Sequence, residues 1–306
     1  MTRAALSVAS CAKINLGLRV LGRRPDGYHE LNTTLQSIDL SDEILLEESP
    51  ALSLAVEGRF PVPADDSNLV LRAARALSER YPGHGARMTL RKSIPAGAGL
   101  GGGSSNAAAT LLGLDRLWGL EADPGILYAI ARRLGMDVPF FLYGGACLAV
   151  GRGDEVLPLP DRKPWPVVVA WPGVGLSTRE VYEALPLSLT RARILSSMKG
   201  FVPGRGGDDQ AENGGQSRPP DVVNDLEETA FRKVPEMRRL KDRLMGSGSL
   251  AAAMSGSGSA VFGLFSSTHE ADRVAASISS GDVAAFSCLT LSRDAYRLNL
   301  FKRSRT

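Results

Sequence analysis

Residues Pro95, Ala96, Gly97, Ala98, Gly99, Leu100, Gly101, Gly102, Gly103, Ser104 and Ser105 run straight into Asn106-Ala107-Ala108-Ala109, a glycine-rich loop opening directly into a helix. Glycine has no Cβ to hold a ligand off the backbone and tolerates positive φ, so successive N–H groups can converge on an anion. The helix expected over residues 104–118 adds its unpaired N–H groups and the positive end of its dipole at the same spot. The chemistry this predicts is the binding of a phosphate chain.

Two other phosphate loops are excluded by context. Gly97-x-Gly99-x-x-Gly102 fits the dinucleotide pattern, but that pattern follows a buried apolar strand of a βαβ unit. Here the preceding segment, residues 88–94, alternates as a half-exposed strand and ends at Pro95. A Walker A loop would end in Gly-Lys-Ser/Thr, and Gly103 and Ser104 stand where its lysine and hydroxyl belong. A flexible linker would not lead into Ala-Ala-Ala-Thr-Leu-Leu.

A cradle without its own lysine needs a cation from elsewhere. Only seven lysines accompany 29 arginines, which draws attention to Lys13 in the apolar stretch Ala12-Lys13-Ile14-Asn15-Leu16. It is either a buried cation for the phosphates or an edge residue whose ammonium snorkels to water. Asp137, in Gly135-Met136-Asp137-Val138-Pro139-Phe140-Phe141, is either a carboxylate able to take a proton from a substrate hydroxyl or a helix cap. Tyr28 and His29 leave the turn centred on Pro25-Asp26-Gly27. They offer a flat heterocycle an aromatic face and a donor–acceptor pair, unless Tyr28 merely packs in a hairpin. Ser104 and Ser105 offer hydroxyls to a magnesium ion.

The elements that must position these groups read as strands followed by helices. Strands are expected at residues 11–20, 33–40, 43–48, 51–56 and 147–150, and helices at 69–80, capped by Ser67 or Asn68, and at 124–134, with Pro124 in its first turn. Residues 135–141 break the pattern. Prolines at 158, 160, 164 and 166 form a stiff connection, which sets the expected domains at 1–160 and 161–306. The second half opens with a strand at 167–171, then a loose Gly/Pro-rich excursion at 200–220. Helices follow at 227–233 and 237–245, and a second glycine-serine run, Met254-Ser255-Gly256-Ser257-Gly258-Ser259, leads into a strand at 260–265. The plan is α+β in two halves, with the ligand site between them.

Composition narrows the function. At 306 residues, with 43% hydrophobic and 23% charged residues, the chain is an ordinary globular protein long enough for two domains. A net charge of +3 with dispersed arginines gives no nucleic-acid surface. No apolar run approaches the roughly 20 residues that span a bilayer. The apolar stretch ahead of Val8-Ala9-Ser10-Cys11 is too short for an export signal. Cys11, Cys147 and Cys288 have no metal-binding spacing, so a reducing cytoplasm is expected.

The set Ala12-Lys13-Ile14-Asn15-Leu16, Asp26-Gly27-Tyr28-His29, the glycine loop, Asp137-Val138-Pro139-Phe140-Phe141, Pro172-Gly173 with Ser177-Thr178, Asn224-Asp225 and Met254-Ser255-Gly256-Ser257-Gly258 resembles the GHMP small-molecule kinases, in order and nearly end to end. The resemblance implies a two-domain fold: an ATP-binding N-terminal domain similar to domain 2 of ribosomal protein S5, packed on a GHMP C-terminal α/β domain. It implies transfer of a phosphoryl group from ATP, with Mg²⁺, to an alcohol. The Asp-Gly-Tyr-His turn together with Ala-Lys-Ile-Asn-Leu implies a cytidine-diphosphate-linked methylerythritol as acceptor, phosphorylated at its 2-hydroxyl on the non-mevalonate route to isoprenoid precursors. A homoserine, mevalonate or sugar kinase would keep the glycine loop but has no reason to keep that turn. A catalytically silent relative would have lost Lys13 or Asp137.

Carried over by the resemblance, Asp137 is the catalytic base and Lys13 its partner. Gly97 to Ser105, with Pro95 and Ala96, hold the triphosphate, and Asn68 lies near the adenine. Asn15, Tyr28, His29, Asp137, Thr178 and Tyr182 meet the acceptor, His29 bonding the cytosine while Tyr28 and Tyr182 supply aromatic faces. No protein metal ligands are implied, and a monomer or weak homodimer is expected. The run Met-Ser-Gly-Ser-Gly replaces an expected Met-Thr-Gly-Thr-Gly and keeps both hydroxyls.

Overall fold

The computed structural model describes residues 5–186 and 219–301. The excursion expected at 200–220 lies outside them except for its last two positions, as does the basic tail after residue 301.

Strands β1 (Ala5–Arg23) and β2 (His29–Glu48) form one long antiparallel hairpin around the Pro-Asp-Gly turn. The two separate strands expected at 33–40 and 43–48 are thus one. They are followed by β3 (Ser53–Gly58), α1 (Leu69–Arg80), β4 (Ala86–Lys92), α2 (Gly102–Trp118), α3 (Pro124–Leu134), α4 (Val138–Tyr143), β5 (Ala146–Gly151) and β6 (Glu155–Pro158). The second half holds β7 (Pro166–Trp171), α5 (Thr178–Glu183), β8 (Val223–Asn224), α6 (Glu227–Lys233), α7 (Glu236–Gly246), β9 (Ala251–Met254) and β10 (Val261–Leu264). It ends with α8 (Thr268–Ile278), β11 (Ala284–Leu289) and α9 (Arg293–Leu300).

Seven strands make the first sheet, in the order β3-β4-β2-β1-β8 with β5 and β6 extending from β2. The upper half of β2 pairs with β4 and its lower half with β5, so one strand serves two neighbours along its length. The second sheet has the order β11-β7-β10-β9.

Strand β7 shows how the layers stack. Val168 and Ala170 join a core with α7 and α8, whereas Val167 and Val169 join a core with Ile14 and Leu16 of β1. A strand buried on both faces has to read as a continuous apolar run, as Val-Val-Val-Ala does. The inner face of the second sheet therefore lies on the first sheet, and α1 to α4 cover the latter's far side with Leu71, Leu77, Leu111 and Phe140. The final helix crosses back to this far side, where Tyr296 and Leu300 are buried in the core of the first half.

Local chemistry sets the helix ends. The Asn68 side chain accepts from Val70 N at 3.0 Å and caps α1. Helix α2 starts two residues earlier than expected, directly after Gly101 in the left-handed region. The segment 135–141 breaks the helical pattern only briefly, because Asp137 is followed at once by the six-residue α4 with Pro139 in its first turn.

Candidate active site

In β1 the pleat separates two jobs. Ala12, Ile14 and Leu16 enter the core between the sheets, so Lys13 and Asn15 point to the opposite side. Register shifts between Cys11 and Lys13 and between Asn15 and Gly17 flank the pair, and such irregularities re-aim side chains next to functional sites. Lys13 is only 2% exposed, which rules out the snorkelling alternative. Its backbone N–H donates to Leu100 O at 3.0 Å and ties β1 to the glycine loop.

Lys13 Nζ donates to Asn15 Oδ1 at 2.7 Å and lies 3.5 Å from Asp137 Oδ2. Asn15 Nδ2 donates in turn to Thr33 Oγ1 at 2.8 Å, and that hydroxyl donates to Gly17 O at 2.7 Å. This chain fixes the ammonium from one side and leaves its other side to the carboxylate. Asp137 occupies the N-cap position of α4, yet its side chain caps no N–H. With 38% of the side chain exposed, the carboxylate remains accessible to a ligand.

Both residues line a cavity of about 1350 Å³. Residues 95–104 line it as well, together with Val62, Pro63, Asn68 and Leu69 and with Tyr28, His29, Thr178 and Tyr182. Sequence-predicted residues more than 160 positions apart thus meet in one space. Ser105 is set apart: it is buried, its hydroxyl donates to Cys11 O at 2.6 Å and accepts from Ser10 at 2.8 Å, and it does not line the cavity. Ser104 does line it.

The second glycine-serine run holds the first in place. A Cβ on Gly99 would lie 2.1 Å from Ser255 O and 2.9 Å from Gly258 O, so these backbones touch only because no side chain intervenes. Ser255 Oγ donates to Gly99 O at 2.9 Å, Ala260 N to Ala98 O at 3.0 Å and Leu176 N to Gly97 O at 3.1 Å. Asn224 Nδ2 clamps the run from behind by donating to Met254 O and Gly256 O at 2.8 and 2.7 Å. Ser257 Oγ lies 2.8 Å from Thr178 Oγ1, in keeping with the hydroxyl retained there.

Beneath the loop lies a cation that sequence reading passed over. Lys92 Nζ contacts the fully buried Asp42 carboxylate, which also accepts from Ser93 N at 2.7 Å, Ile94 N at 2.8 Å and Asn106 Nδ2 at 2.8 Å. A buried ion pair is tolerated when such extra bonds replace the lost water. Burial pushes Lys92 below the usual lysine range, against the pull of Asp42. A Cβ on Gly102 would sit 3.0 Å from Lys92 Nζ, which places the ammonium at the start of α2. The signal was in the alternation: Ala86, Met88 and Leu90 are buried, and Lys92 continues their phase.

Also lining the cavity, the rings of His29 and Tyr182 lie 5.1 Å apart, tilted by 33°. Burial, helped by the Arg23 charge, lowers the His29 pKa below its ordinary value. At neutral pH the imidazole is therefore uncharged, with one donor and one acceptor. Burial and the nearby Asp137 charge push the Tyr182 phenol up, so it stays protonated. Tyr28 is 48% exposed, and its open ring suits stacking.

Among the described residues no group of three or more His, Cys, Asp or Glu is arranged to hold a metal ion. No helix there is long and apolar enough to cross a membrane. The three cysteines are buried free thiols, with burial raising Cys147 to about 11.

A glycine cradle at a helix start, a lysine–carboxylate pair beside it and two sheet-based halves around them define a small-molecule kinase of the GHMP type. Two family models agree, "GHMP kinases N terminal domain" at residues 68–145 and "GHMP kinases C terminal" at 209–282. A 4-diphosphocytidyl-2-C-methyl-D-erythritol kinase of Prosthecochloris aestuarii is 41% identical over 92% of this chain and 96% of its own. That of Geobacillus kaustophilus is 40% identical over 88% and 91%. A crystal structure of 4-(cytidine 5'-diphospho)-2C-methyl-D-erythritol kinase superposes with a TM-score of 0.73 at 36% identity, covering 94% of this chain and all of that one. The homoserine kinase of Cytophaga hutchinsonii shares the fold, with a TM-score of 0.68 at 19% identity over 94% and 95% of the two chains. The chain belongs to the GHMP kinases, in the family of the 4-diphosphocytidyl-2-C-methyl-D-erythritol kinases.

Proposed function

We propose that this protein transfers the γ-phosphoryl group of ATP to the 2-hydroxyl of 4-diphosphocytidyl-2-C-methyl-D-erythritol, giving the 2-phosphate and ADP, a step in isoprenoid precursor biosynthesis. The observation that carries it is that one cavity is lined by the glycine loop, by His29, Tyr28 and Tyr182, and by the Lys13–Asp137 pair. Homoserine and mevalonate kinases share the fold at under 20% identity, too distant to carry their acceptors over.

Phosphoryl transfer asks a protein mainly to position reactants and to stabilise charge on the transferring group. The N–H groups of the loop and the start of α2 meet the triphosphate, and Val62, Pro63 and Leu69 with Asn68 flank the adenine. The acceptor oxygen attacks the γ-phosphorus, the bond to the β–γ bridging oxygen breaks, and the hydroxyl proton passes to Asp137. Lys13, held by Asn15, orients that hydroxyl and offsets the charge developing on it. Mg²⁺, when bound with the nucleotide, would supply further charge neutralisation. The Ser104 hydroxyl suits it, and a magnesium ion that keeps water and phosphate ligands needs no protein cage. His29 bonds the cytosine as the neutral imidazole, Tyr28 and Tyr182 give it aromatic contact, and Thr178 borders the same end.

A monomer or weak homodimer remains the oligomeric state we propose. We place the enzyme in the cytoplasm, a reading that its free, buried cysteines support. We also retain the division at residues 160 and 161, with α9 as a return of the second domain onto the first.

ADP release should be measured with ATP and Mg²⁺ against 4-diphosphocytidyl-2-C-methyl-D-erythritol, homoserine, mevalonate and galactose. Turnover of the cytidyl acceptor alone is expected. Turnover of another acceptor in its place would overturn the substrate assignment.

A further inference from the structure

At the acceptor end of the cavity the turn between β5 and β6 carries Gly151-Arg152-Gly153-Asp154. Asp154 is 1% exposed, and one of its oxygens, Oδ2, accepts from two arginines. Arg132 donates to it through Nε at 2.9 Å and an NH2 at 2.7 Å, and Arg152 through an NH2 at 2.9 Å. Two guanidinium charges share one carboxylate, so the trio keeps a net positive charge. Burial works to raise the Asp154 pKa, but the bonds from Arg152 and Arg132 outweigh it and hold the carboxylate ionised.

Only one of the two arginines faces the ligand space: Arg152 lines the cavity and Arg132 does not. The Arg152 guanidinium lies 5.2 Å from the centre of the Tyr28 ring and covers one of its faces. Asp26, which also lines the cavity, is engaged by Arg24 and attracts Arg152 through space. Arg152 is therefore held in orientation by Asp154 and Tyr28. It spends one N–H on Asp154 and has others to give, since a guanidinium carries five. Planar forks of this kind match phosphate oxygens better than a lysine does.

We infer that Arg152 is the specificity-determining residue that binds the diphosphate of the nucleotide-linked acceptor, its guanidinium covering one face of Tyr28 and leaving the other face open to the base whether or not Arg152 is present. The inference rests on the proposed reaction and deepens it: the acceptor site recognises a nucleoside diphosphate ester and not merely a base. The same arrangement makes Arg152 separable from the chemistry, because Lys13 and Asp137 do not contact it and Asp154 keeps Arg132 when it is removed.

The test is steady-state kinetics on the full chain and on Arg152→Met and Arg152→Lys. KM is measured for ATP and for the cytidyl acceptor, and cytidine serves as a competitive inhibitor against that acceptor. In Arg152→Met the acceptor KM should rise roughly 10- to 100-fold, the range lost with a charge-assisted hydrogen bond. Turnover number, the KM for ATP and the inhibition constant of cytidine should all stay within about twofold, and Arg152→Lys should recover part of the loss. An unchanged acceptor KM overturns the inference. So does a parallel weakening of cytidine, which would reduce Arg152 to a prop for Tyr28. If the unaltered chain does not turn over the cytidyl acceptor, the proposed reaction fails and the inference falls with it, an outcome distinct from normal turnover indifferent to Arg152.

Discussion

Where the glycine loop lines the cavity its surface is backbone, whereas around Tyr28 and His29 it is side chains. The loop is fixed by contacts between main chains, with Gly99 against Ser255 and Gly258, and by hydrogen bonds from Ala260 and Leu176 to its carbonyls. The acceptor end is fixed by side chains, with His29 against Tyr182 and Arg152 over Tyr28. Backbone amides recognise a phosphate chain whatever is attached to it, and this suits the nucleotide common to all kinases of this fold. The side chains around Tyr28 can change without disturbing the loop, which suits them, in the proposed function, to tell one acceptor from another. The Lys13–Asp137 pair joins the two, Lys13 being hydrogen-bonded to the loop through its backbone N–H while its ammonium lies 3.5 Å from the Asp137 carboxylate.

The comparison breaks most visibly at Gly99. Its φ is +74° and an added Cβ would meet two carbonyl oxygens that cannot swing away. Gly99→Ala should cost about 3–5 kcal/mol of stability and at least ~100-fold in kcat/KM for ATP, read by thermal unfolding and by ATP titration of turnover. A variant with normal melting and normal ATP kinetics would show that the loop is not fixed in this way.

Tyr28→Ala sharpens the other side. Loss of an exposed aromatic face should raise the acceptor KM by roughly 5- to 30-fold, as a stacking contact of about 1–2 kcal/mol implies. Stability and the KM for ATP should hardly move. Parallel losses for both substrates would mean that the two ends are not independent.

The two ends also differ in how much the sequence discloses. The glycine loop is legible because its composition is itself the signal, and the helices at 69–80 and 124–134 were bounded correctly by Asn68 and Pro124, whose local chemistry sets their starts. Lys92 was missed because its meaning depends on Asp42, 50 positions away in another strand. Arg152 was missed for the same reason, since nothing in Gly-Arg-Gly-Asp foretells that Tyr28 lies beneath the guanidinium. The joining of 33–40 and 43–48 into β2 follows from partners on either side, β4 and β5, that act on different stretches of one strand. The return of α9 to the first core is likewise a long-range packing outcome, carried by Tyr296 and Leu300, with no local marker. Asp137 stood as base or cap, and the structure speaks against the cap, because its carboxylate caps nothing and lies 3.5 Å from the Lys13 ammonium.

The most direct test is Asp137→Asn, with turnover measured beside the dissociation constants of ATP and of the cytidyl acceptor by calorimetry. Loss of the proton acceptor should lower turnover by roughly 10²- to 10⁴-fold while both dissociation constants stay within about threefold. Near-normal turnover in this variant would contradict the assignment of Asp137 as the base and, with it, the mechanism built on the Lys13–Asp137 pair.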